Sequence, residues 1–279
     1  MPLAIITGAN TGLGFETARG LLGLGYQVVI TSRDLDRGST AIAKLKAEHP
    51  QAVVSMLPLD LASQESIGSF VKSFAAAFGK WDVLVLNAGA KVLANYQQTS
   101  SGIEYHFGVN AVGHFAITAD LLAYRAKKSR VVSVSSIVAR FAPQTLGPAG
   151  SASSYSAGAS YAASKLSNYL FAMELENRFG SEVFSSLAAH PGFARAEPYG
   201  PSSTRFFESF LAQSAAMGAL PIIEAASSSS LAGGSYRVPK ILELWGSPAE
   251  GIVPKITSPK TLKQNWEILE SLSGKTLTL

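Results

Sequence analysis

The sequence predicts an α/β protein built on one parallel sheet, and three observations support this. Short runs rich in Val, Ile and Leu alternate with longer amphipathic stretches up to about residue 190. Strands that alternate with helices in this way form βαβ units, whose strands run parallel. The strand-like runs are apolar on both faces, so helices must cover both sides of the sheet. With 279 residues and 47% hydrophobic content, a single doubly wound Rossmann-type domain over residues 1–279 is expected.

The individual elements follow from the hydrophobic pattern. Strands are predicted at residues 3–7, 27–31, 53–57, 83–86, 130–134 and 183–188. Helices are predicted where apolar residues recur at helical spacing, at residues 12–24, 35–48, 63–78, 102–126 and 161–179. Residues 147–160 are almost wholly Gly, Ala and Ser, which favours a flexible surface loop. Residues from Gly192 to about 237 depart from the alternation and are expected to form loop and helix.

Composition excludes several classes of function. The chain has no cysteine, so disulfides, thiolate metal sites and cysteine nucleophiles are absent. The net charge of +4 is mild and its basic residues are scattered, which does not favour a nucleic acid partner. A membrane span needs roughly 18 consecutive apolar residues, and the chain enters a strand directly after Pro2, so a cytoplasmic protein without a span or signal peptide is expected. The histidines show no metal-ligand spacing and are expected in the core or on the surface: His49, His106, His114 and His190.

Three glycines occupy the turn between the first strand and the first helix, namely Gly8, Gly12 and Gly14. Such a turn needs backbone angles that side chains forbid, and it lets a pyrophosphate approach the backbone closely. The N-terminus of the following helix offers free N–H groups and the positive end of its dipole. The turn therefore favours a bound nucleotide, although tight βα turns also carry glycine without one.

Polar residues follow the third and fourth strands, at Asp60 and at the motif Asn87-Ala88-Gly89. Both positions lie at carboxyl ends of strands, where open α/β sheets bind their ligands. Asp, Asn and Gly are also common turn residues, so each position alone leaves a purely structural role open.

A tyrosine and a lysine four residues apart, Tyr161 and Lys165, share one face of a predicted helix. At about 4 Å and an effective dielectric near 20, an ammonium stabilises a phenolate by roughly 4 kcal/mol, or about three pKa units. That would bring a phenol within reach of acid–base catalysis at neutral pH. The same pair is also common on exposed helices. Ser135 and Ser136, at the end of the fifth strand, would face the same crevice or cap a turn, and Asn110 would either act there or face solvent.

Taken together, these residues resemble the short-chain dehydrogenase/reductase family over essentially the whole chain. Residues 108–115 and the long interval from Ser136 to Tyr161 resemble its retinol dehydrogenase-like branch. The resemblance implies a catalytic set of Asn110, Ser136, Tyr161 and Lys165, with the second serine of the pair preferred over the first. Ser136 would bind the substrate oxygen, Tyr161 would protonate it, Lys165 would lower the Tyr161 pKa and hold the nicotinamide ribose, and Asn110 would position a water.

The resemblance also implies a nicotinamide dinucleotide, and the second strand favours NADP(H). That strand ends in Ser32-Arg33 without the acidic residue that would repel a 2′-phosphate. Arg33 can bind a phosphate through charge-assisted hydrogen bonds, although Asp34 beside it opposes this and a solvated surface arginine is the alternative. The cofactor set expected is Gly8, Asn10, Thr11, Gly12, Leu13, Gly14, Ser32, Arg33, Asp60, Leu61, Asn87, Ala88, Gly89, Tyr161, Lys165, Pro191 and Gly192.

Two positions depart from the family pattern or imitate it. After Pro191-Gly192 the family often has a threonine that holds the nicotinamide carboxamide, and Ala196 stands at that position. Tyr155 is not expected to be the acid, because Ala159 stands where its lysine would be.

The expected function is an NADP(H)-dependent carbonyl reductase acting on a lipophilic substrate. A substrate-binding lid is predicted over about 193–237, and its apolar residues are Phe193, Tyr199, Phe206, Phe207, Phe210, Leu211 and Met217. The alternative to a lid is that this apolar face packs on the sheet or on a second subunit. The alternative function is a redox-sensing dinucleotide-binding protein without turnover. A light-dependent protochlorophyllide reductase also resembles this branch, but its characteristic cysteine is missing here. Relatives imply a homodimer through the helices at 102–126 and 161–179.

Overall fold

One eight-stranded sheet forms the centre of the computed structural model, which describes residues 1–90, 93–194 and 212–278. The strand order is β3-β2-β1-β4-β5-β6-β7-β8, with β1 to β7 parallel and β8 antiparallel to β7. The strands are β1 Leu3–Ile6, β2 Gln27–Ser32, β3 Val54–Pro58, β4 Trp81–Leu86, β5 Arg125–Val134, β6 Phe184–Ala189, β7 Tyr236–Ile241 and β8 Trp245–Glu250. The predicted doubly wound α/β sheet is confirmed.

Helices cover both faces of this sheet. The longer helices are α1 Gly12–Gly23, α2 Leu35–Glu48, α3 Gln64–Ala77, α5 Gly113–Leu121, α6 Ala157–Phe179, α7 Ala215–Ser227 and α8 Pro259–Ser273, and a single turn, α4, covers Tyr105–Phe107. Adjacent strand residues point to opposite faces. Accordingly, Ile5 packs with α3, α5, α6 and α8, whereas Ala4 and Ile6 pack with α1, α2 and α7.

Two strands, β7 and β8, were not predicted from the sequence. Both lie at one edge of the sheet, where β8 carries no continuous apolar run and most of its residues are partly or fully exposed. Pro239 interrupts the pattern of β7, and proline is tolerated in sheets chiefly near edges. The hydrophobic pattern therefore had little to detect in this hairpin.

The helix predicted at 102–126 is broken into several pieces. After α4 comes a π-helical turn, Gly108–Val112, then α5 and a 3-10 turn, and β5 already begins at Arg125. The first residues of β5 are polar and largely exposed, and their pairing with β4 is irregular. Because this extension of the strand lacks an apolar face, the sequence pattern placed its start at residue 130.

Helix α6 begins earlier than predicted and shortens the expected loop. It starts at Ala157, where the side chain of Ser156 accepts a hydrogen bond from the backbone N–H of Ala159. The Gly, Ala and Ser residues that suggested a loop up to residue 160 therefore include the first turn of this helix.

The C-terminal helix α8 packs against α5 and α6. Trp266 is buried, and its ring centroid lies 5.3 Å from that of Phe115 and 5.9 Å from that of Phe171. The hydroxyl of Ser167 donates a hydrogen bond of 2.7 Å to Asn265. These contacts place the chain's own C-terminal helix on α5 and α6, through which the expected homodimer would pair.

The predicted lid at 193–237 falls partly outside the described residues, which do not include Ala196, Tyr199, Phe206, Phe207, Phe210 or Leu211. Within the same range, α7 is a core helix, because Ile222, Ala225 and Ala226 are buried against the sheet. No helix in the described part of the chain is long and apolar enough to cross a membrane.

Candidate active site

A cavity of about 870 Å³ opens at the carboxyl ends of the central strands. It brings together residues from the glycine turn, the tip of β2 and the ends of β3, β4, β5 and β6 with the start of α6. Its lining includes these sequence-predicted residues: Gly8, Asn10, Thr11, Gly12, Leu13, Gly14, Ser32, Arg33, Asp60, Leu61, Asn87, Ala88, Gly89, Ser136, Tyr161, Lys165 and Pro191. Asn110 and Gly192 are not part of this lining.

The glycine turn is shaped by positive backbone angles and by close contact with the end of β4. The φ angles of Gly8 and Gly12 are 63° and 59°, a region that strongly favours glycine. A Cβ on Gly8 would lie 2.9 Å from Ala88, and one on Gly14 would lie 2.5 Å from the side-chain nitrogen of Asn87. A Cβ on Gly12 would meet nothing within 4 Å. The turn thus leaves open space at the N-terminus of α1, which fits the phosphates of a dinucleotide.

Asn87 ties the glycine turn to the end of β4. Its side-chain nitrogen donates hydrogen bonds to the carbonyl oxygens of Thr7 and Gly8, at 2.8 and 3.2 Å. The backbone N–H groups of Asn87 and Ala88 both donate to the Thr7 hydroxyl, at 2.9 Å each. The Asn87-Ala88-Gly89 motif therefore both lines the cavity and supports the turn opposite it.

Asp60 combines the two roles that the sequence left open. One carboxylate oxygen accepts a hydrogen bond of 3.0 Å from the backbone N–H of Ala62, which makes a local turn after β3. The residue also lines the cavity beside Leu61. The turn role and the site role are therefore compatible here.

Two arginines lie near the tip of β2, Arg33 directly after the strand and Arg37 in the first turn of α2. Ser32 donates a hydrogen bond of 2.7 Å to the carbonyl of Asp34, and Arg33 donates one of 2.9 Å to the hydroxyl of Tyr105. Arg37, which the sequence analysis missed, also lines the cavity and lies 3.5 Å from the carboxylate of Asp34. Its spacing of four from Arg33 at the start of a helix is the sequence signal that could have identified it. Arg37 also offsets the negative charge of Asp34.

Tyr161 and Lys165 share one face of α6, as their spacing predicts. The Lys165 ammonium lies 5.8 Å from the centre of the Tyr161 ring and donates a hydrogen bond of 3.0 Å to the carbonyl of Val134. Burial lowers the pKa of Lys165 to about 8, so its ammonium is still mostly protonated at neutral pH. A positive charge is thus held beside the phenol, where it favours the phenolate.

The two serines at the end of β5 differ in their contacts. Ser135 is buried, and its hydroxyl donates a hydrogen bond of 2.8 Å to the carbonyl of Lys165. The hydroxyl of Ser136 accepts only a long contact of 3.5 Å from the backbone N–H of Val138. Ser135 is engaged inside the protein, and this difference favours Ser136 as the serine that meets a substrate.

Asn110 is completely buried, so the solvent-facing alternative is wrong. Its side-chain oxygen accepts a hydrogen bond of 2.7 Å from the backbone N–H of Ala90, and its side-chain nitrogen donates one of 2.9 Å to Ser164. The π-helical turn that contains Asn110 directs this side chain inward. Asn110 therefore braces the loop after β4 against the helix that carries Tyr161 and Lys165.

Pro191-Gly192 follows β6, and the side chain of His190 stabilises it through a hydrogen bond. The backbone N–H of Gly192 donates a hydrogen bond of 2.9 Å to His190 Nδ1. Gly192 has a φ of 69°, and a Cβ there would lie 2.5 Å from the carbonyl oxygen of Leu244. Gly192 therefore shapes the turn that carries Pro191 to the cavity.

A second buried histidine, His106, contacts Tyr161 and was not singled out for this role from the sequence. Its ring meets the Tyr161 ring edge-on at 6.1 Å, and its Nδ1 lies 2.9 Å from the carboxylate of Glu104. The Tyr155 hydroxyl donates to the carbonyl of Leu93 at 3.0 Å. No spacing rule links these residues to Tyr161, because the contact depends on how α4 packs against α6.

Among the described residues, no group of three His, Asp or Glu side chains could hold a metal ion. His106 and His190 instead pair with Glu104 and Glu243, respectively. Burial lowers the pKa of His190 despite the neighbouring carboxylate.

Comparison with known proteins agrees with this geometry. The profile of the short chain dehydrogenase family matches residues 2–198. Human retinol dehydrogenase 12 is 38% identical over 198 residues, which cover 70% of this chain and 62% of the relative. Mouse polyprenol dehydrogenase is 38% identical over 206 residues, which cover 71% of this chain and 61% of the relative. The match thus spans less than two thirds of the length of these curated relatives.

Solved structures show the same fold. A crystal structure of an uncharacterized protein from Mycobacterium paratuberculosis is 31% identical, covers 100% of this chain and 96% of its own, and superposes with a TM-score of 0.81. Salutaridine reductase from Papaver somniferum shares 21% identity and covers 85% of this chain and 99% of its own, with a TM-score of 0.65. A blue fluorescent protein from a metagenomic library, solved with NADPH, shares 20% identity and covers 84% and 95% of the two chains, with a TM-score of 0.67.

The family match over residues 2–198 includes the glycine turn, the Asn87-Ala88-Gly89 motif and the Tyr161/Lys165 pair. The retinol dehydrogenases are similar over 198 residues, or 70% of the chain. The chain belongs to the short-chain dehydrogenase/reductase family, in its retinol dehydrogenase-like branch.

Proposed function

We propose that this chain is an NADP(H)-dependent carbonyl reductase that acts on lipophilic aldehydes or ketones. One observation carries the proposal: Ser136, Tyr161 and Lys165 line the same cavity as the glycine turn and the arginines at the tip of β2. A family member with all three polar groups at one cavity is equipped for turnover, which favours an enzyme over a redox-sensing protein that only binds a dinucleotide.

The chain's own residues supply binding and proton transfer. When bound, NADPH would supply the hydride. Ser136 donates a hydrogen bond to the substrate oxygen, and Tyr161 gives its proton to that oxygen during reduction. Lys165 keeps a positive charge beside the phenol and is placed to hold the ribose. Oxidation of an alcohol uses the same groups in reverse, and reduction is the preferred direction because NADPH is usually the more reduced pool.

Asn110 and the preceding loop support these groups. The hydrogen bonds from Ala90 to Asn110 and from Asn110 to Ser164 hold the end of β4 against α6. A water that returns the proton to Tyr161 through Lys165 remains a prediction. Asn110 would position it with its backbone carbonyl or the second lone pair of its side-chain oxygen.

The choice of NADP(H) rests on the two arginines. Arg33 and Arg37 both line the cavity at the tip of β2, and Ser32 occupies the position where an acidic residue would exclude a 2′-phosphate. The negative charge of Asp34 would repel a phosphate, and the ion pair with Arg37 offsets this charge. Two guanidinium groups can hold a 2′-phosphate that NAD lacks.

The lipophilic substrate rests on Phe193 and on the relatives. Phe193 lines the cavity and is 39% exposed. Retinol and polyprenol, which give two groups of relatives their names, are lipophilic alcohols. An apolar substrate would replace water at the Phe193 ring.

The test is a panel of unbranched aldehydes of increasing length, with the loss of NADPH absorbance as the readout. Each extra buried methylene contributes about 0.8 kcal/mol, so kcat/KM is expected to rise up to about fourfold per methylene until the pocket is full. Phe193→Ala should flatten this rise. Phe141→Ala is the matched control, because Phe141 is 79% exposed and lies outside the cavity lining.

The panel also separates the alternatives. Binding of NADPH without loss of absorbance for any aldehyde or ketone would indicate the redox-sensing protein. A flat series, or a preference for sugar phosphates, would contradict the lipophilic substrate and leave the carbonyl reductase intact.

A further inference from the structure

Thr7, the last residue before the glycine turn, has a hydroxyl surrounded by four polar groups. It accepts hydrogen bonds of 2.9 Å from the backbone N–H groups of Asn87 and Ala88. It also lies 3.0 Å from His114 Nε2 and 3.3 Å from the carbonyl oxygen of Val85. A hydroxyl has one proton to donate, so the state of His114 decides where that proton goes.

The hydrogen bonds of His114 define its tautomer. The residue is buried, and its Nδ1 lies 2.8 Å from the carbonyl oxygen of Asn110. A carbonyl can only accept, so Nδ1 carries the hydrogen. Burial, against a weaker opposing effect of the Asn110 hydrogen bond, lowers the pKa of His114 to about 3. The ring is therefore neutral at physiological pH, Nε2 is an acceptor, and Thr7 donates its proton to it.

This imidazole joins two parts of the site that are far apart in the chain. On one side is Thr7, which precedes the glycine turn and accepts hydrogen bonds from the backbone N–H groups of Asn87 and Ala88. On the other is the π-helical turn, in which backbone pairing is shifted so that Gly113 N–H bonds the carbonyl of Gly108. His114 bonds the carbonyl of Asn110 within this turn.

The turn matters because the side chain of Asn110 continues the chain of hydrogen bonds into α6, the helix that carries Tyr161 and Lys165. Its nitrogen donates to the hydroxyl of Ser164, which in turn donates to the carbonyl of Tyr161 at 2.8 Å. A rotation of the turn would therefore displace the hydrogen bond between Asn110 and Ser164, which lies next to Lys165 on the helix that also carries Tyr161.

We propose that His114 is a positioning residue for the reaction: its Nδ1 contact with the carbonyl of Asn110 fixes the π-helical turn, so that the helix carrying Tyr161 and Lys165 keeps its place at the cavity. The inference rests on the proposed function, because the reaction supplies the rate that would change. The Nδ1 contact with Asn110 is the essential one, and the Nε2 contact with Thr7 is secondary.

Two substitutions separate these contacts. In His114→Asn the side-chain nitrogen takes the place of Nδ1 and can still donate to Asn110, whereas in His114→Gln the amide reaches only the place of Nε2 and keeps the contact with Thr7. We expect His114→Asn to retain kcat within about twofold. We expect His114→Gln to lose at least about fivefold in kcat, the equivalent of one hydrogen bond, with an unchanged KM for NADPH.

Melting temperature and NADPH affinity are measured for both variants. If His114 had a purely structural role, the loss of kcat in each variant would follow its loss of thermal stability, and His114→Asn would be no more active than His114→Gln. Equal kcat values for the two variants, or a better glutamine variant, would overturn the proposal.

A second measurement does not depend on activity. Nitrogen-15 NMR of the wild-type histidines should include a neutral ring that is protonated at Nδ1 and unchanged between pH 5 and 8, and whose signal is missing from His114→Asn. Protonation at Nε2, or titration in this range, would overturn the proposal. If the wild type shows this signal but reduces no carbonyl compound, the proposed function fails while the hydrogen-bond assignment stands.

Discussion

At the scale of single residues, function depends on which polar groups are already engaged by the protein. The hydroxyl of Ser135 is held by the carbonyl of Lys165, and both side-chain atoms of Asn110 are bonded. Ser136 lines the cavity, and its hydroxyl accepts a long contact of 3.5 Å from the backbone N–H of Val138. Of the two adjacent serines, the one whose hydroxyl is less engaged by the protein is therefore the candidate for contact with a substrate.

Tyr161→Phe should abolish turnover while NADPH affinity stays nearly unchanged, because the substitution removes a proton donor and little volume. Lys165→Ala should lose turnover and also weaken NADPH binding, since it has two roles. Initial rates and fluorescence titration with NADPH test both. The matched control is Tyr155→Phe, which removes a hydroxyl bonded to the backbone of Leu93 and should keep most of the activity. A Tyr161→Phe variant with most of the wild-type rate would rule out this mechanism.

Arg33→Ala should weaken NADPH binding by about 1.5–3 kcal/mol, the usual contribution of a hydrogen bond to a charged group, and barely affect NADH. Calorimetric titration with each cofactor measures this difference. Arg19 on α1, paired with Glu16 and Glu48 outside the cavity lining, offers the control variant Arg19→Ala. Equal losses for NADPH and NADH would mean that Arg33 does not contact a 2′-phosphate.

At the scale of elements, the hairpin between β7 and β8 supports the turn after β6, although two of its residues adopt unfavourable backbone angles. Leu244 N–H bonds the carbonyl of Ile241, and the two central residues, Leu242 and Glu243, have φ angles of 52° and 58°. This is a type I′ turn, which favours asparagine and glycine. The carboxylate of Glu243 accepts hydrogen bonds from Arg140 and Ile252 and lies within hydrogen-bond distance of His190. These contacts stabilise Glu243 in the turn and join the hairpin to the segments after β5 and β6.

Leu242→Asn should raise the free energy of unfolding by about 0.5–1 kcal/mol. Asparagine tolerates the left-handed region that leucine avoids, and Leu242 is 76% exposed, so little packing is lost. Chemical denaturation with activity as a check on folding measures the change. Ile241→Asn, at an exposed neighbouring position outside the turn centre, should bring no gain. A less stable Leu242→Asn variant would contradict the strain argument.

At the scale of the whole molecule, α8 covers part of the surface of α5 and α6. Trp266 packs among Phe115, Phe171 and Phe179, and the guanidinium of Arg178 lies 4.5 Å from the centre of its ring. One face of each of α5 and α6 is therefore covered by the chain's own C-terminal helix.

The protein should be a monomer in solution. Light scattering coupled to size exclusion should give a mass near 29.3 kDa across a dilution series, because pairing through α5 and α6 would first require α8 to leave. Hydrogen exchange should show protected amides in α8 at every concentration. A mass of about twice the monomer, with amides of α5 and α6 protected only at high concentration, would contradict this prediction.

The sequence by itself determined the features that depend on local spacing. The alternation of strands and helices, the glycine turn and the four-residue separation of Tyr161 and Lys165 each follow from periodicity or backbone geometry over a few residues. These features were sufficient to predict the doubly wound sheet, whereas most of the cavity lining was predicted through the resemblance to the short-chain dehydrogenase/reductase family.

Only the tertiary structure decided which groups meet across the chain. His114 contacts Thr7 from 107 positions away, and Ser167 contacts Asn265 from 98 positions away. The inward turn of Asn110, the edge hairpin and the covering of α5 and α6 by α8 likewise depend on packing between distant segments. Local patterns carry no information about such contacts, because the free energy that selects them comes from burial and hydrogen bonding in the assembled fold.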